Sequence, residues 1–423
     1  MFKPGIFSEK QLDVMANCDK ATNALVGSVR SGKTIASLIA SLRLLPDYAG
    51  SNIMFIGKSQ KTLYRNVLLP LSEIIGESNF SFSRTVGEGN IFNHHFFTAG
   101  AYDEKSLETI QGMTLAFAYG DEVTTWPESF YQMMLSRLSD SGAKFIGTMN
   151  PAGPYHWFKT QFLDREGEIS LKSWTMYLDE NKNLPPEYVE NLKKFYTGIW
   201  FKRYILAQWV LAEGAIYDMF SEERHVRCIS DDVWRNITLK HVSVDYGTHN
   251  PCVFQMWGND GHKRYLKREY YYDSNDKGKQ KTDAEYADDL LNFIGLDHIY
   301  GVIVDPSAAS FKTELTKRGL NVIDAVNDVL DGIRQVSTEY SQDKIVIDRS
   351  CNNNIREKSG YVWDVKASQR GEDKPIKQND HAQDCERYYV MTVPMYGNGY
   401  FEEYTEDVGY GAEGGERGVY SGY

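Results

Sequence analysis

The residues best suited to chemistry form a glycine-rich loop near the amino terminus, Gly27-Ser28-Val29-Arg30-Ser31-Gly32-Lys33-Thr34. The loop has the phosphate-binding spacing GxxxxGK[ST], follows the apolar run Ala24-Leu25-Val26, and precedes a helix-like run. In a strand–loop–helix turn, backbone N–H groups and the helix N-terminus face nucleotide phosphates. We therefore expect these eight residues to bind ATP, with Lys33 on the β and γ oxygens and the Thr34 hydroxyl on Mg²⁺.

An acidic pair, Asp121-Glu122, closes a second apolar run at 115–120. Ligands of parallel α/β sheets bind beyond the carboxyl ends of the strands, so a strand end is a suitable place for these acids. We expect Asp121 to hold Mg²⁺ together with Thr34, and Glu122 to polarise the water that attacks the γ-phosphate.

Five further residues are weaker candidates for the same site, each with a plain structural alternative. Thr148 and Asn150 end another strand-like run and either sense the γ-phosphate or only form an Asn-Pro turn. Arg30, inside the loop, either reaches the phosphates or forms a surface salt bridge. Arg137 is either an arginine finger for a neighbouring subunit or a surface ion-pair residue. Gln11 either reads adenine through its amide or lies on a helix surface.

A second set of acids occupies the carboxyl-terminal half. Asp245 and Asp305 each end a strand-like run, and Asp380, His381 and Asp384 follow at helical spacing that would place them on one face. Carboxylates that converge in a cleft repel one another unless divalent cations neutralise them. We expect two Mg²⁺ or Mn²⁺ ions and phosphodiester cleavage, with Asp245, Asp305 and Asp384 catalytic. Which of Asp380, His381 and Asp384 binds metal directly stays open.

Elements that would position these residues follow from the hydrophobic pattern. Strand-like and helix-like runs alternate in the first half, which predicts a mostly parallel α/β sheet. Strand-like runs at 241–246, 252–257 and 264–272 predict a β-meander, and alternating helices and strands follow it, as in ribonuclease-H-type domains. The predicted parts are a phosphate-loop ATPase core (1–165), a helical lid and linker (166–235), a ribonuclease-H-like mixed-sheet nuclease domain (236–395) and an acidic Gly/Tyr-rich tail that does not pack (396–423).

Composition bounds the possible partners. The 423-residue chain carries a net charge of −12, which gives no support for a large basic surface. Its five cysteines are scattered, and no two of them form a CxxC pair. This pattern argues against a zinc ribbon or a disulfide framework and is typical of a protein in a reducing cytosol. We expect no membrane association, because no apolar run is long enough to span a bilayer and no signal-peptide core is present.

The order of these motifs resembles the large terminase subunit of tailed double-stranded DNA bacteriophages, over about residues 5–395. The residues that carry the resemblance are those at 27–34, Asp121-Glu122, Thr148-Met149-Asn150-Pro151, Asp245, Asp305, and Asp380-His381-Ala382-Gln383-Asp384 with Arg387-Tyr388. The chain departs from the family at Gly120, where a bulky residue is more usual.

The resemblance implies an ATPase that pumps double-stranded DNA through the portal of a procapsid and a nuclease that cuts concatemeric DNA. It implies a portal protein and a small terminase subunit as partners, a pentameric ring on the portal with a monomer possible in solution, and work in the host cytoplasm. It also implies that Arg137 acts in trans and that Thr148 and Asn150 couple hydrolysis to movement. Headful and fixed-end packaging are not distinguished.

Other functions remain open from the sequence. One is a nucleotide-gated scaffold or portal-docking protein whose ribonuclease-H-like domain does not cut. A repair-type ATPase-nuclease would need helicase motifs in a second RecA-like domain, and the sequence offers one such domain. A transposition ATPase fused to an integrase-like fold is a further alternative.

Overall fold

The computed structural model describes residues 5–48, 50–247 and 250–395. Its contacts divide the chain into two compact units. The first unit takes the residues up to Phe220 together with Val329–Gln342 and Glu357–Asp380. The second takes Ser221–Asp328, Asp343–Arg356 and the residues from His381 onward. The predicted boundaries at 165 and 235 stay a prediction, and the predicted acidic tail at 396–423 lies outside the described residues.

The strands are β1 (Thr22–Gly27), β2 (Ile53–Gly57), β3 (Phe80–Ser83), β4 (Glu88–Ile91), β5 (His94–Gly100), β6 (Phe117–Gly120), β7 (Lys144–Met149), β8 (Leu171–Met176), β9 (Val226–Arg227), β10 (Leu239–Asp245), β11 (Cys252–Asn259), β12 (Arg264–Tyr272), β13 (Gly301–Val304), β14 (Val322–Asp324) and β15 (Ile345–Asp348). The helices are α1 (Glu9–Asn17), α2 (Lys33–Leu44), α3 (Gln60–Leu63), α4 (Leu69–Ile75), α5 (Glu128–Arg137), α6 (Trp157–Gln161), α7 (Pro186–Phe195), α8 (Gly198–Trp200), α9 (Glu222–His225), α10 (Asp231–Asn236), α11 (Ser274–Lys277), α12 (Asp283–Ile294), α13 (Ala309–Lys317), α14 (Val329–Ser341), α15 (Asn352–Gly360), α16 (Val365–Ser368) and α17 (His381–Thr392). Short 3₁₀ turns and two π-helical turns, Tyr64–Leu68 and Phe201–Ile205, lie between them.

The first unit is built on a mostly parallel sheet, which confirms the predicted fold class. Its eight strands run in the order β3-β4-β5-β2-β6-β7-β1-β8, and only the β3–β4–β5 pairings are antiparallel. Every residue of β1, β2 and β6 is buried, as expected of strands covered on both faces. The carboxyl ends of β1, β7 and β6 therefore meet at one edge of the sheet.

The edge strand β8 was not predicted, because 166–235 was expected to be helical. It pairs in parallel with β1 from Thr22↔Leu171 to Gly27↔Met176. In its sequence, LKSWTM, the buried Leu, Trp and Met are separated by polar residues. So few apolar residues are typical of a strand at the edge of a sheet, and they give only a weak signal for a strand in the sequence. The strand is part of the sheet that carries the phosphate loop.

The second unit holds a mixed, ribonuclease-H-like sheet, again as predicted. Its seven strands run in the order β14-β13-β10-β11-β12-β15-β9, with β10, β11 and β12 antiparallel and β13 parallel to β10. Helix α17 is fixed on this sheet by the stacked rings of Trp257 and Tyr389, 4.7 Å apart, and by a 2.9 Å hydrogen bond from Gln255 Nε2 to the carbonyl of Ala382. These contacts position the acidic end of the helix.

The length and hydropathy of the helices can be compared with those of a membrane-spanning helix. Within the described part of the chain, none of them combines the length and the apolar character that a bilayer crossing needs.

Candidate active sites

The phosphate loop joins β1 to α2 and is held by the backbone of its neighbours. Ser28 N donates to the carbonyl of Met176 (2.9 Å), and Val29 N donates to that of Tyr204 (2.9 Å). Gly32 caps α2 in the left-handed conformation, with φ 86°. Gln11 Nε2 donates to the Gly32 carbonyl (3.4 Å), so this buried amide lies against the loop rather than on a helix surface. Its contact with adenine stays a prediction.

Lys33 lies at the centre of the loop. Its ammonium donates to the carbonyls of Gly27 (3.1 Å) and Ser28 (2.6 Å) and to Asn150 Oδ1 (3.1 Å). Burial lowers the pKa of Lys33 to about 8, although the negative charges of Asp121 and Glu122 oppose that shift. The loop lysine, Asn150 and the acidic pair thus form one electrostatic group.

Asp121 is fixed at the end of β6. The Thr148 hydroxyl donates to Asp121 Oδ1 (2.7 Å), the Trp126 indole donates to the Asp121 carbonyl (3.1 Å), and Asp121 N donates to the carbonyl of Ile56 (2.8 Å). Burial raises the pKa of Asp121, and the Thr148 hydrogen bond and Lys33 oppose the rise. A buried carboxylate oxygen beside a cationic loop is a suitable ligand for Mg²⁺.

Glu122 adopts a left-handed backbone conformation, with φ 54°, which is costly for a residue with a side chain and is common at functional sites. Burial first, and then the charges of Asp121 and Asp331, raise the pKa of Glu122, while Arg334 and Lys58 oppose the rise. A carboxylate with a raised pKa is suited to act as a base.

The structure also accounts for Gly120, the departure from the terminase pattern. A Cβ at this position would lie 2.6 Å from Trp126 Cη2 and 2.8 Å from Phe145 Cζ. The aromatic rings behind β6 thus occupy the volume that a bulkier side chain would need, and the strand end keeps its place.

The two arginine candidates lie in different settings. Arg30 has φ 55°, and its carbonyl accepts from Asn181 Nδ2 (2.7 Å). Arg137 is the last residue of α5, and its Nε donates to Ser136 Oγ (3.1 Å). These contacts do not test whether either side chain reaches a nucleotide, so both roles stay predictions.

In the second unit, Asp245 is the last residue of β10 and Asp305 directly follows the adjacent parallel strand β13, since Val244 pairs with Val304. Asp245 Oδ2 lies 2.9 Å from His381 Nδ1. Asp305 Oδ2 accepts from the Tyr388 hydroxyl (3.1 Å) and from Asn327 Nδ2 (3.2 Å). Burial on its own would raise the pKa of Asp305, but hydrogen bonds from Ser307, Asn327 and Tyr388 outweigh burial and lower it.

Tyr388 lies within the electrostatic reach of the acids at this sheet edge. Burial and the negative charges of Asp245, Asp384 and Asp305 raise the pKa of its phenol far above the usual value. Asp384 also pairs with Arg387, at 2.9 Å. Carboxylate oxygens are donors that fit Mg²⁺ or Mn²⁺. As placed here, however, no three His, Cys, Asp or Glu side chains of the described residues form a group that could hold an ion.

Asp380 departs from its predicted position. Helix α17 begins at His381, so Asp380 precedes the helix and does not share a helical face with His381 and Asp384. Its carboxylate lies 3.6 Å from Lys377 Nζ and is buried. The helix-like spacing in the sequence extends one residue beyond the helix itself, a common error at helix ends. Whether Asp380 binds metal stays a prediction.

Comparison with known proteins identifies the family. The large terminase of a thermophilic bacteriophage is 41% identical, with a TM-score of 0.87, over 93% of this chain and 100% of that one. The chain belongs to the large terminase family. The structure of the same thermophilic-phage protein in complex with ATP-γ-S is similar as well, with 40% identity, a TM-score of 0.85 and coverage of 93% and 100%.

Sequence relatives agree with this assignment. The family "Terminase large subunit, T4likevirus-type, N-terminal" matches residues 24–224. The large terminase subunit of Escherichia phage T5 is 26% identical over 273 residues, which are 60% of this chain and 59% of the T5 protein.

Some residues of this terminase site gave no signal in the sequence. Asn327 reaches Asp305 from the segment after β14, and Lys58, Asp331 and Arg334 lie near Glu122. Each is an ordinary polar residue in a helix or a loop, and its place depends on contacts between distant parts of the chain. Only the position of Lys58, directly after the strand-like run that became β2, could have indicated a site residue.

Replacing Gly32 with Ala should weaken nucleotide binding by this terminase about tenfold or more. A loss of about 1.4 kcal/mol in binding free energy raises Kd tenfold. A Cβ at Gly32 would lie 2.2 Å from Gln11 Nε2, and the φ of 86° is itself unfavourable for alanine. Affinity for a fluorescent ATP analogue measures the effect. The matched control is Gly112→Ala, where φ is 82° and nothing lies within 4 Å. Equal affinities for the two variants would show that the Gln11 contact does not matter.

Proposed function

We propose that this large terminase is a viral DNA-packaging motor, in which ATP hydrolysis drives double-stranded DNA into the procapsid and a Mg²⁺- or Mn²⁺-dependent endodeoxyribonuclease cuts concatemeric DNA. The observation that carries the proposal is the meeting of three strand ends in the first unit. There Lys33 of the phosphate loop bonds Asn150 at 3.1 Å, and Thr148 bonds Asp121 at 2.7 Å. Family membership supports the same reading, and the thermophilic-phage relative has been solved in complex with ATP-γ-S.

In the proposed hydrolysis, backbone N–H groups of the loop at 27–34 bind the phosphates, and Lys33 neutralises charge on the β and γ oxygens. Thr34 and Asp121 would hold Mg²⁺, which when bound offsets the negative charge of the phosphates. Glu122 accepts the proton of the attacking water. The buried site excludes bulk water, which strengthens these electrostatic contacts.

Coupling to movement is proposed for the residues that touch both the loop and the chain beyond it. Asn150 Oδ1 accepts from Lys33, and the Asn150 carbonyl accepts from the Thr124 hydroxyl (3.0 Å). The Thr124 carbonyl in turn lies 3.1 Å from His156 Nε2. When the γ-phosphate leaves Lys33, the hydrogen bond between Lys33 and Asn150 would change. The contacts of Asn150 with Thr124, and of Thr124 with His156, would transmit that change to the chain beyond the loop.

The proposed cutting site uses Asp245, Asp305 and Asp384, with Asp380 and His381 as further candidate ligands. These side chains would hold two divalent cations, which when bound activate water and stabilise the leaving oxygen. Asp245 and His381 are already in contact, and Tyr388 donates to Asp305. Before cation binding, Asp384 would need to turn away from Arg387.

Partners and location follow from family membership and remain part of the proposal. They are double-stranded DNA, a portal protein and a small terminase subunit, with a pentamer on the portal and a monomer possible in solution. Arg137 is proposed as the finger that reaches a neighbouring subunit, with Arg30 as the alternative within the same subunit. The protein would act in the host cytoplasm, at the procapsid portal.

Purified full-length protein tests both activities. We expect ATP hydrolysis in Mg²⁺, and nicking or linearisation of plasmid DNA in Mn²⁺ that EDTA abolishes. Phosphate release and agarose gels measure the two. ATPase activity with intact DNA under all metal conditions would favour the nucleotide-gated scaffold, in which the Asp384–Arg387 pair keeps the second sheet from cutting. DNA cleavage without ATP hydrolysis would contradict the motor.

A further inference from the structure

Two buried hydroxyl groups join the helix of the phosphate loop to the strand that carries the acidic pair. Ser37 lies on α2 and Tyr119 on β6, and the two oxygen atoms are 3.0 Å apart. Both residues are fully buried, with 0% of their surface exposed. A hydroxyl in such a position costs free energy unless it is hydrogen-bonded, so alanine and phenylalanine would be the simpler core residues here. The bond between the two hydroxyls offsets this cost.

The direction of the hydrogen bonds follows from the number of hydrogens. Ser37 Oγ donates to the carbonyl of Thr34 at 2.9 Å, one turn earlier on α2. A serine hydroxyl has one hydrogen to donate, so the Tyr119 phenol is the donor in the contact with Ser37. A continuous chain of hydrogen bonds therefore runs from the side chain of Tyr119, through Ser37, to the backbone of Thr34.

The two ends of this chain lie close to the two proposed magnesium ligands. Thr34 is itself one of them, and it precedes Ser37 by three residues, about 4.5 Å along the helix. Asp121 is the other, and it follows Tyr119 by two residues, about 7 Å along the extended chain. The bond between Ser37 and Tyr119 thus connects two separate elements within a short distance of both ligands.

Magnesium makes the spacing of these two elements important. It requires nearly octahedral coordination with oxygen ligands at about 2.0–2.1 Å, so a small shift of α2 against β6 weakens its binding. Asp121 is already fixed among the strands, because the Thr148 hydroxyl of β7 donates to its Oδ1 at 2.7 Å. The bond between Ser37 and Tyr119 supplies the corresponding connection to the helix.

Two other buried hydroxyls of the same unit form bonds of a different kind. Ser41 lies one turn after Ser37 and is also buried, but its Oγ donates to the Ser37 carbonyl (2.8 Å), within the same helix. Tyr48 is buried in the same hydrophobic cluster as Tyr119, and its hydroxyl donates to the carbonyl of Gly142 (3.1 Å). Neither of these two bonds joins α2 to β6. Ser41 and Tyr48 are therefore matched controls for Ser37 and Tyr119.

We propose that Tyr119 is a positioning residue of the ATPase site, whose hydrogen bond to Ser37 holds Thr34 and Asp121 at the spacing that Mg²⁺ needs. This inference rests on the proposed function, because it takes Thr34 and Asp121 as the magnesium ligands. Tyr119 acts through these two residues and not on the nucleotide itself. Phenylalanine in its place would retain the ring packing against Phe55, with 5.6 Å between ring centroids, and lose only the hydrogen bond.

A purely structural role for this bond makes a different prediction. Loss of a buried hydrogen bond would then lower the melting temperature alone, and Tyr119→Phe should behave like Tyr48→Phe. A positioning role predicts that the dependence on Mg²⁺ changes as well, while nucleotide binding in EDTA stays as in the wild type. Excess Mg²⁺ should then recover the lost binding by mass action, which it does not do for a damaged core.

The experiment titrates Mg²⁺ against the full chain and follows the binding of a fluorescent ATP analogue, together with ATP hydrolysis and thermal melting. We expect the Mg²⁺ concentration for half-maximal binding and hydrolysis to rise about tenfold in Tyr119→Phe and in Ser37→Ala, as when a group that orients a metal ligand is removed. Tyr48→Phe and Ser41→Ala should titrate like the wild type. The double variant of Tyr119 and Ser37 should lose no more than the more affected single variant, because both changes remove one bond.

An unshifted Mg²⁺ titration in Tyr119→Phe or in Ser37→Ala, an equal shift in Tyr48→Phe, or losses that add in the double variant would overturn the inference and leave the proposed ATPase in place. A wild-type chain that hydrolyses no ATP in Mg²⁺ would contradict the proposed function, and this inference with it. The wild-type measurement therefore separates the two failures.

Discussion

Replacing Glu122 with Gln should lower ATP turnover by about 100- to 10,000-fold, the usual contribution of a general base, while nucleotide binding is retained. Glutamine keeps the shape of the side chain but cannot accept the proton of the attacking water at neutral pH. The raised pKa of Glu122, caused first by burial and then by Asp121 and Asp331, shows a carboxyl group in a site that favours proton uptake. Phosphate release at saturating ATP measures turnover, and titration with an ATP analogue measures binding.

The matched control for this substitution is Glu128→Gln. Glu128 lies at the start of α5 in the same unit, and its Oε1 accepts from Gln132 and Gln161 at 2.7 Å, bonds that a glutamine oxygen can also accept. This variant should hydrolyse ATP like the wild type. Normal turnover in Glu122→Gln would remove Glu122 from the proposed role. Loss of binding together with turnover would indicate that the left-handed turn at Glu122 had collapsed instead.

Much of the fold could be predicted because its signals are local. The phosphate loop lies between β1 and α2, and the acidic pair directly follows β6, because an apolar run followed by polar residues marks a buried strand end. The meander strands β10, β11 and β12 fall close to their predicted ranges for the same reason. In each case the residues that form the element also carry the pattern.

The parts that could not be predicted depend on partners far away in the chain. Strand β8 has too few apolar residues to be recognised, and its place beside β1 depends on pairing across the unit. Helix α14 has an amphipathic pattern, but nothing in that pattern indicates which sheet it will cover. Arg334 therefore gave no signal, although it lies closer to the acidic pair than its position in the sequence suggests. Local pattern predicts the type of an element more readily than its neighbours.

Replacing Asp305 with Asn should stop plasmid cleavage in Mn²⁺ while ATP hydrolysis continues. If the carboxylate helps to hold a catalytic cation, its loss removes several kcal/mol of transition-state stabilisation, or about 100-fold or more in rate. The structure supports this choice, because Asp305 directly follows β13, the strand next to β10, which ends at Asp245. The pKa of Asp305 is lowered by three hydrogen-bond donors despite burial. The amide oxygen can still accept from Ser307 N, and its NH₂ group can donate to the Tyr388 hydroxyl, so the loop should keep its shape. Gel assays of supercoiled plasmid over a Mn²⁺ series measure the effect.

The matched control for the nuclease variant is Asp324→Asn. Asp324 ends β14, the strand next to β13 at the same edge of the sheet, but it is 66% exposed and pairs with Lys312. This variant should cut like the wild type, since a strand-end acid without the neighbours of Asp305 has no cation to hold. Cleavage that survives in Asp305→Asn and disappears in Asp324→Asn would move the cutting site toward the edge of the sheet. Loss in Asp305→Asn that high Mn²⁺ partly restores would indicate weakened cation binding, because mass action then compensates for the missing ligand.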